Sequence, residues 1–85
     1  MKHSDPFLIA MGRLLSDYAS LAGCTYAEVC SELSISPQTY SGVWKGQVAN
    51  FAYYRKIFLY IYDELYYPWQ RKKMQEDFMK LFLRD

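Results

Sequence analysis

The 85-residue chain has little cysteine, one histidine and almost no net charge. Its two cysteines, Cys24 and Cys30, stand six positions apart with no histidine nearby. On a helix that spacing points the side chains to different sides. Neither a disulfide nor a zinc site is expected, and the thiols suit a reducing, cytoplasmic setting. The sole histidine, His3, lies in an N-terminal tail expected to fray. The acidic pairs Asp63-Glu64 and Glu76-Asp77 are adjacent, so the members of each diverge on a helix and read as solvated surface. No glycine-rich phosphate loop and no metal-ligand spacing occurs. These absences leave no catalytic residues, no metal and no cofactor to expect, and the chain does not read as an enzyme. No apolar run reaches the roughly 20 residues of a membrane span, and Met1–Pro6 carries no signal-peptide core, so an intracellular protein without a membrane partner is expected. The net charge of +1 is low for a free-standing DNA-binding domain, whose affinity rests largely on phosphate neutralisation. A nucleic-acid role therefore has to rest on local charge.

Aromatic residues are abundant: nine Tyr, five Phe and two Trp. Each buries a large area, so a short chain can still build a core, but one 85-residue domain cannot hide them all. Some aromatic surface is expected to remain for a partner.

No stretch alternates apolar and polar residues with β-branched enrichment, and the pattern reads as helix throughout. A first helix is expected over Pro6–Ala22, capped by Asp5, with Leu8, Met11, Leu15, Tyr18 and Ala22 on one face and Gly23 as its stop. A second is expected over Tyr26–Leu33, opened by a Thr25/Glu28 capping box, with Val29, Cys30 and Leu33 inward. Ser36 and Pro37 start a third that runs to Lys45 and stops at Gly46, with Tyr40, Val43 and Trp44 inward. A fourth covers Phe51–Tyr66, capped by Asn50, with Tyr54, Ile57, Phe58, Ile61 and Leu65 in a stripe; Pro68 breaks the chain there. A fifth covers Trp69–Leu83, with Met74, Phe78, Leu81 and Phe82 on one face. The fold class is all-α: one domain of five helices over residues 1–85.

Residues 25–46 read Thr-Tyr-Ala-Glu-Val-Cys-Ser-Glu-Leu-Ser-Ile-Ser-Pro-Gln-Thr-Tyr-Ser-Gly-Val-Trp-Lys-Gly. A small residue at Cys30 lets two helices approach, Ile35 plugs the gap, and a three-residue turn before Ser36 makes the helices cross steeply. This segment resembles the helix-turn-helix of the phage repressor and Cro family. Leu33-Ser34-Ile35-Ser36 is similar to that family's turn, and Lys45-Gly46 to its closing basic-glycine pair. Ser34 and Tyr26 depart from the family's usual Gly and Gln. The resemblance implies sequence-specific binding of double-stranded DNA, with the third helix in the major groove, in transcriptional regulation. It implies base-facing positions at Pro37, Gln38, Ser41 and Gly42. Of these Gln38 is the good reader, assisted by Ser41 and Thr39. Ser36, Tyr26 and Lys45 would hold phosphates. Gly42 serves either close approach to DNA or close helix packing. The competing reading is a helical corner used only as a scaffold.

Arg55 and Lys56, and Arg71-Lys72-Lys73, fall early in the fourth and fifth helices, where cations oppose the helix dipole. They flank a DNA contact if the fold brings them beside the third helix, and are otherwise solvated. Tyr53, Tyr60 and Tyr67 recur at seven, widened by Tyr62 and Tyr66, and form a second stripe on the fourth helix. A helix apolar on so much of its circumference is either central or shared. A homodimer interface from Tyr53, Tyr60, Tyr67, Trp69, Phe78 and Phe82 is expected. The alternative is a protein–protein interaction module that uses this Tyr-rich surface and binds no DNA.

Overall fold

A computed structural model describes residues 5–83, so His3 and the fraying expected of Met1–Ser4 lie outside the described residues. The described residues form five helices and no strand: α1 Pro6–Ala22, α2 Tyr26–Leu33, α3 Pro37–Trp44, α4 Phe51–Glu64 and α5 Pro68–Phe82.

Local chemistry sets the helix ends. Asp5 accepts the Phe7 amide at 2.8 Å to open α1, and Gly23 closes it in the left-handed region at φ 75°. The Thr25/Glu28 box opens α2 with reciprocal bonds of 3.2 and 3.0 Å. Hydrogen bonds from Thr25 hold the Glu28 carboxyl below its usual range. Ser34 ends α2 at φ 54°, a conformation that costs a side-chain-bearing residue about 1–2 kcal/mol. Ser36 and Asn50 cap α3 and α4.

Three boundaries differ from the sequence reading. Helix α3 ends at Trp44, one residue short of Lys45. Helix α4 ends at Glu64 rather than Tyr66, because Leu65 is already extended (ψ 127°) on the approach to Pro68, and Arg71 Nη1 donates to its carbonyl at 3.2 Å. Helix α5 takes in Pro68 as its first residue and ends at Phe82 rather than Leu83; the Gln70 side chain accepts the Tyr67 amide at 3.3 Å.

Leu15, Val29, Tyr40, Val43, Tyr54, Ile57, Ile61, Leu65 and Met74 are fully buried, so all five helices and the α4–α5 connection feed one core. Helix α1 is central and packs on α3, α4 and α5, while α2 packs on α3 and α4. The approach of α1 to α3 depends on Gly12: a Cβ there would overlap the Val43 carbonyl oxygen and come within 2.7 Å of that of Trp44. Tyr18 donates to Asp77 at 2.6 Å and ties α1 to α5. The inward faces differ from expectation at Phe82, which is 52% exposed, and at Leu8, Ala22, Leu33, Trp44 and Phe58, which are half-buried.

Candidate nucleic-acid interface

Helix α3 starts from a corner that its own residues lock. The Ser36 hydroxyl accepts the Thr39 amide at 3.2 Å and donates to Thr39 Oγ1 at 2.9 Å. The Tyr26 hydroxyl donates to the Pro37 carbonyl at 2.6 Å, pinning the start of α2 to the start of α3. The Tyr26 ring stands edge-on to Tyr40 at 5.1 Å, and Tyr40 lies 4.9 Å from Trp44. Ile35 is buried beneath this corner, and its amide bonds the Cys30 carbonyl at 3.0 Å. The Tyr40 hydroxyl and Trp44 Nε1 are buried without a geometric hydrogen-bond partner, and burial pushes the Tyr40 phenol up to about 12.

On the outer side of the corner lies an open concavity of about 550 Å³. Tyr26, Pro37, Gln38, Thr39, Ser41, Gly42 and Lys45 line it, together with Gln47 and Val48. Seven of the eight residues singled out as DNA contacts thus share one surface; Ser36 is the exception. Among the described residues no carboxylate lines the concavity, and Lys45 is its one cation. Gln38, Lys45 and Gln47 are exposed, and Thr39 and Ser41 are half-exposed. Thr39 accepts the Ser36 proton, so its own hydroxyl proton is free to donate outward. The surface thus offers two amides, two hydroxyls and an ammonium. This set can bond phosphate oxygens and the donor–acceptor edges of bases.

The structure corrects several expected roles. Tyr26 and Ser36 do not present a donor for phosphate, because each already donates its hydroxyl proton inside the corner. A Cβ on Gly42 would lie 2.8 Å from Val48 Cγ2, so the glycine makes room for the chain folding back after α3, and it also lines the concavity. That return also brings in Gln47, which the sequence reading missed. Gly46 turns at φ 70°, and the Gln47 amide reaches the Gly42 carbonyl at 2.9 Å. The pair of glycines around α3's last turn was the available signal.

None of the flanking cations lines the concavity. Arg71 caps the Leu65 carbonyl; Lys73 pairs with Asp77 at 3.8 Å and lines a groove between α1 and α5; Arg55 lines a cleft between α4 and α5. The expected dimer residues are also dispersed. Phe78 is buried against Phe58, 4.7 Å away, and belongs to the core. Tyr53 and Tyr60 are half-buried, and Tyr60 sits near Glu64, Cys24, Glu28 and Glu32, on the α2 side of α4; burial raises its phenol first, and those groups raise it further. Tyr67 and Trp69 stack at 6.4 Å at the α4–α5 corner, whereas Phe82 packs on Phe51, the first residue of α4. The 14 residues of α4, about 20 Å of helix, separate the two groups.

Cys24 and Cys30 are free, and burial raises both thiols, which lowers their reactivity. Among the described residues no three His, Cys, Asp or Glu side chains are grouped to hold a metal ion, and no helix is long and apolar enough to cross a membrane. No protein-family model, no curated protein and no solved structure matches the chain.

Proposed function

We propose that residues 25–46 are a repressor-type helix-turn-helix that binds double-stranded DNA sequence-specifically, and that the protein is a cytoplasmic, dimeric regulator of transcription. The observation that carries this reading is the carboxylate-free concavity on α3, where Gln38, Thr39, Ser41, Lys45 and Gln47 converge. An α-helix with its side chains is about 10–12 Å across, so α3 suits the roughly 12 Å width of the major groove. Gln38 reads a base, Thr39 and Ser41 support it, and Lys45 and Gln47 hold the backbone. One local cation implies modest affinity and a shallow salt dependence. The test is fluorescence anisotropy with random and genomic duplexes at low salt. Submicromolar binding of a subset of duplexes supports the reading, and a folded protein that binds none at micromolar concentration overturns it.

A second reading is favoured by the aromatic corner at Tyr66, Tyr67 and Trp69, of which Tyr66 is 82% and Trp69 61% exposed. On that reading the chain is a protein-interaction module. A monomer that lacks DNA affinity and is pulled down with a partner only while Trp69 is intact favours it.

A further inference from the structure

Helices α4 and α5 run antiparallel, because Phe51 pairs with Phe82 and Phe58 with Phe78. Their backbones do not come close along their length, and large rings fill the gap between them. The gap is not filled completely. A cleft of about 260 Å³ remains, floored by Met11 of α1 and walled by Phe58, Phe78, Phe82 and Leu59. Its lining is almost wholly apolar. The Tyr54 hydroxyl donates inward to the Val48 carbonyl at 2.7 Å, which leaves Arg55 as the single charged group on the wall among the described residues.

We infer that a second copy of this chain covers the cleft. The inference deepens the dimeric reading above by replacing the dispersed interface residues with one continuous face. Phe51, Leu59 and Phe82 stand at the cleft, each 42–52% exposed, and Met79 lies one turn before Phe82 on α5, with Leu83 one turn beyond Met79. These side chains expose on the order of 500 Å² of apolar surface per protomer. Two copies face to face therefore bury up to about 1,000 Å², at the lower edge of specific interfaces. A two-fold contact also needs a surface that complements itself, and this face carries both halves of the fit. It has a hole and, on its rim, the exposed Leu59 and Phe82. A cavity of about 150 Å³ holds a benzene ring, so this cleft accepts a phenyl or leucyl group from the partner. Among the described residues no carboxylate lines the cleft, and the Arg55 stem can lie along apolar surface while its guanidinium reaches water. No residue lines both this cleft and the α3 concavity, so the contact leaves the α3 surfaces of both copies open.

The test is light scattering on the full chain across a concentration range, without DNA, so that its outcome is independent of the DNA reading. The expected mass is twice the 10.1 kDa of one chain. Leu59→Lys and Met79→Lys return it to one chain with helical circular dichroism retained, and Trp69→Lys, at the other end of α4, leaves the dimer intact. Met79 is on the outer surface, so its variant folds even if the Leu59 change is harmful. Three results overturn the inference. The first is wild-type protein at single-chain mass up to millimolar concentration. The second is a dimer that survives both lysine changes, whatever Trp69→Lys does. The third is a single-chain species that binds a hydrophobic dye in the cleft, with Leu59→Lys abolishing the signal; it assigns the cleft to another apolar occupant.

Discussion

At the residue scale, function divides between side chains that build the α3 corner and side chains that face outward. Gln38, Lys45 and Gln47 belong to the second group, because they are exposed and line the concavity. Gln38→Ala is expected to cost about 1–3 kcal/mol at one base position and to relax specificity there, measured by anisotropy on a panel of single-base variants of the bound duplex. Lys45→Ala is expected to weaken all duplexes alike and to lower the salt slope by about one. Tyr26 belongs to the first group. Tyr26→Phe removes the bond to the Pro37 carbonyl while keeping the ring, and is expected to destabilise the fold by about 0.5–1.5 kcal/mol in urea unfolding. The family resemblance implied phosphate contacts for Tyr26 and Ser36, but hydroxyls at helix starts can reach either way. Which way they turn depends on the neighbouring helix end, and a single sequence does not show that. Gln38, by contrast, was legible, since its place in the first turn of α3 fixes it on the outer face.

At the element scale, helix ends were legible where a side chain or a glycine makes them. Asp5, Thr25 with Glu28, Ser36, Asn50 and Gly23 each act through neighbours within three residues. The end of α4 was misplaced because the chain already turns extended at Leu65, three residues ahead of Pro68, where Arg71 reaches back six residues to the Leu65 carbonyl. Ser34 was legible as a left-handed residue without the freedom of glycine. Ser34→Gly relieves that strain at some cost in chain entropy, and is expected to raise stability by up to about 1 kcal/mol. An unchanged or lower urea midpoint contradicts this. Gly12 was not legible, because nothing local marks it; only the carbonyls of Val43 and Trp44 do. Gly12→Ala is expected to cost about 1–3 kcal/mol by forcing α1 from α3.

At the scale of the whole molecule, the shape explains where the aromatic surplus goes. The fold extends 41 × 34 × 17 Å, a slab about two helices thick. Both broad sides of such a slab meet solvent, so aromatics that periodicity assigns to one face end up on several surfaces. The heptad spacing of Tyr53, Tyr60 and Tyr67 suggested a single interface. Instead Tyr53 and Tyr60 stay half-buried, while Tyr67 turns away past the end of α4. The slab also buries tyrosines whose hydroxyls resist ionisation. Burial raises the phenols of Tyr18, Tyr40 and Tyr54 above the usual 10, and Tyr40 to about 12. The folded state then keeps protons that the unfolded chain releases, so these groups' contribution is complete below pH 10 and is lost as pH rises towards 12. The melting temperature is expected to fall steeply over that window, and less so in Tyr40→Phe.

The central claim is that the α3 surface is where DNA binds. The most direct measurement is a titration of isotope-labelled protein with a duplex selected by anisotropy, followed by amide and side-chain chemical shifts. The largest changes are expected at Gln38, Thr39, Ser41, Lys45 and Gln47, with Tyr66, Tyr67 and Trp69 unmoved. Shifts confined to the Tyr66–Trp69 corner, or none at saturating duplex, contradict it.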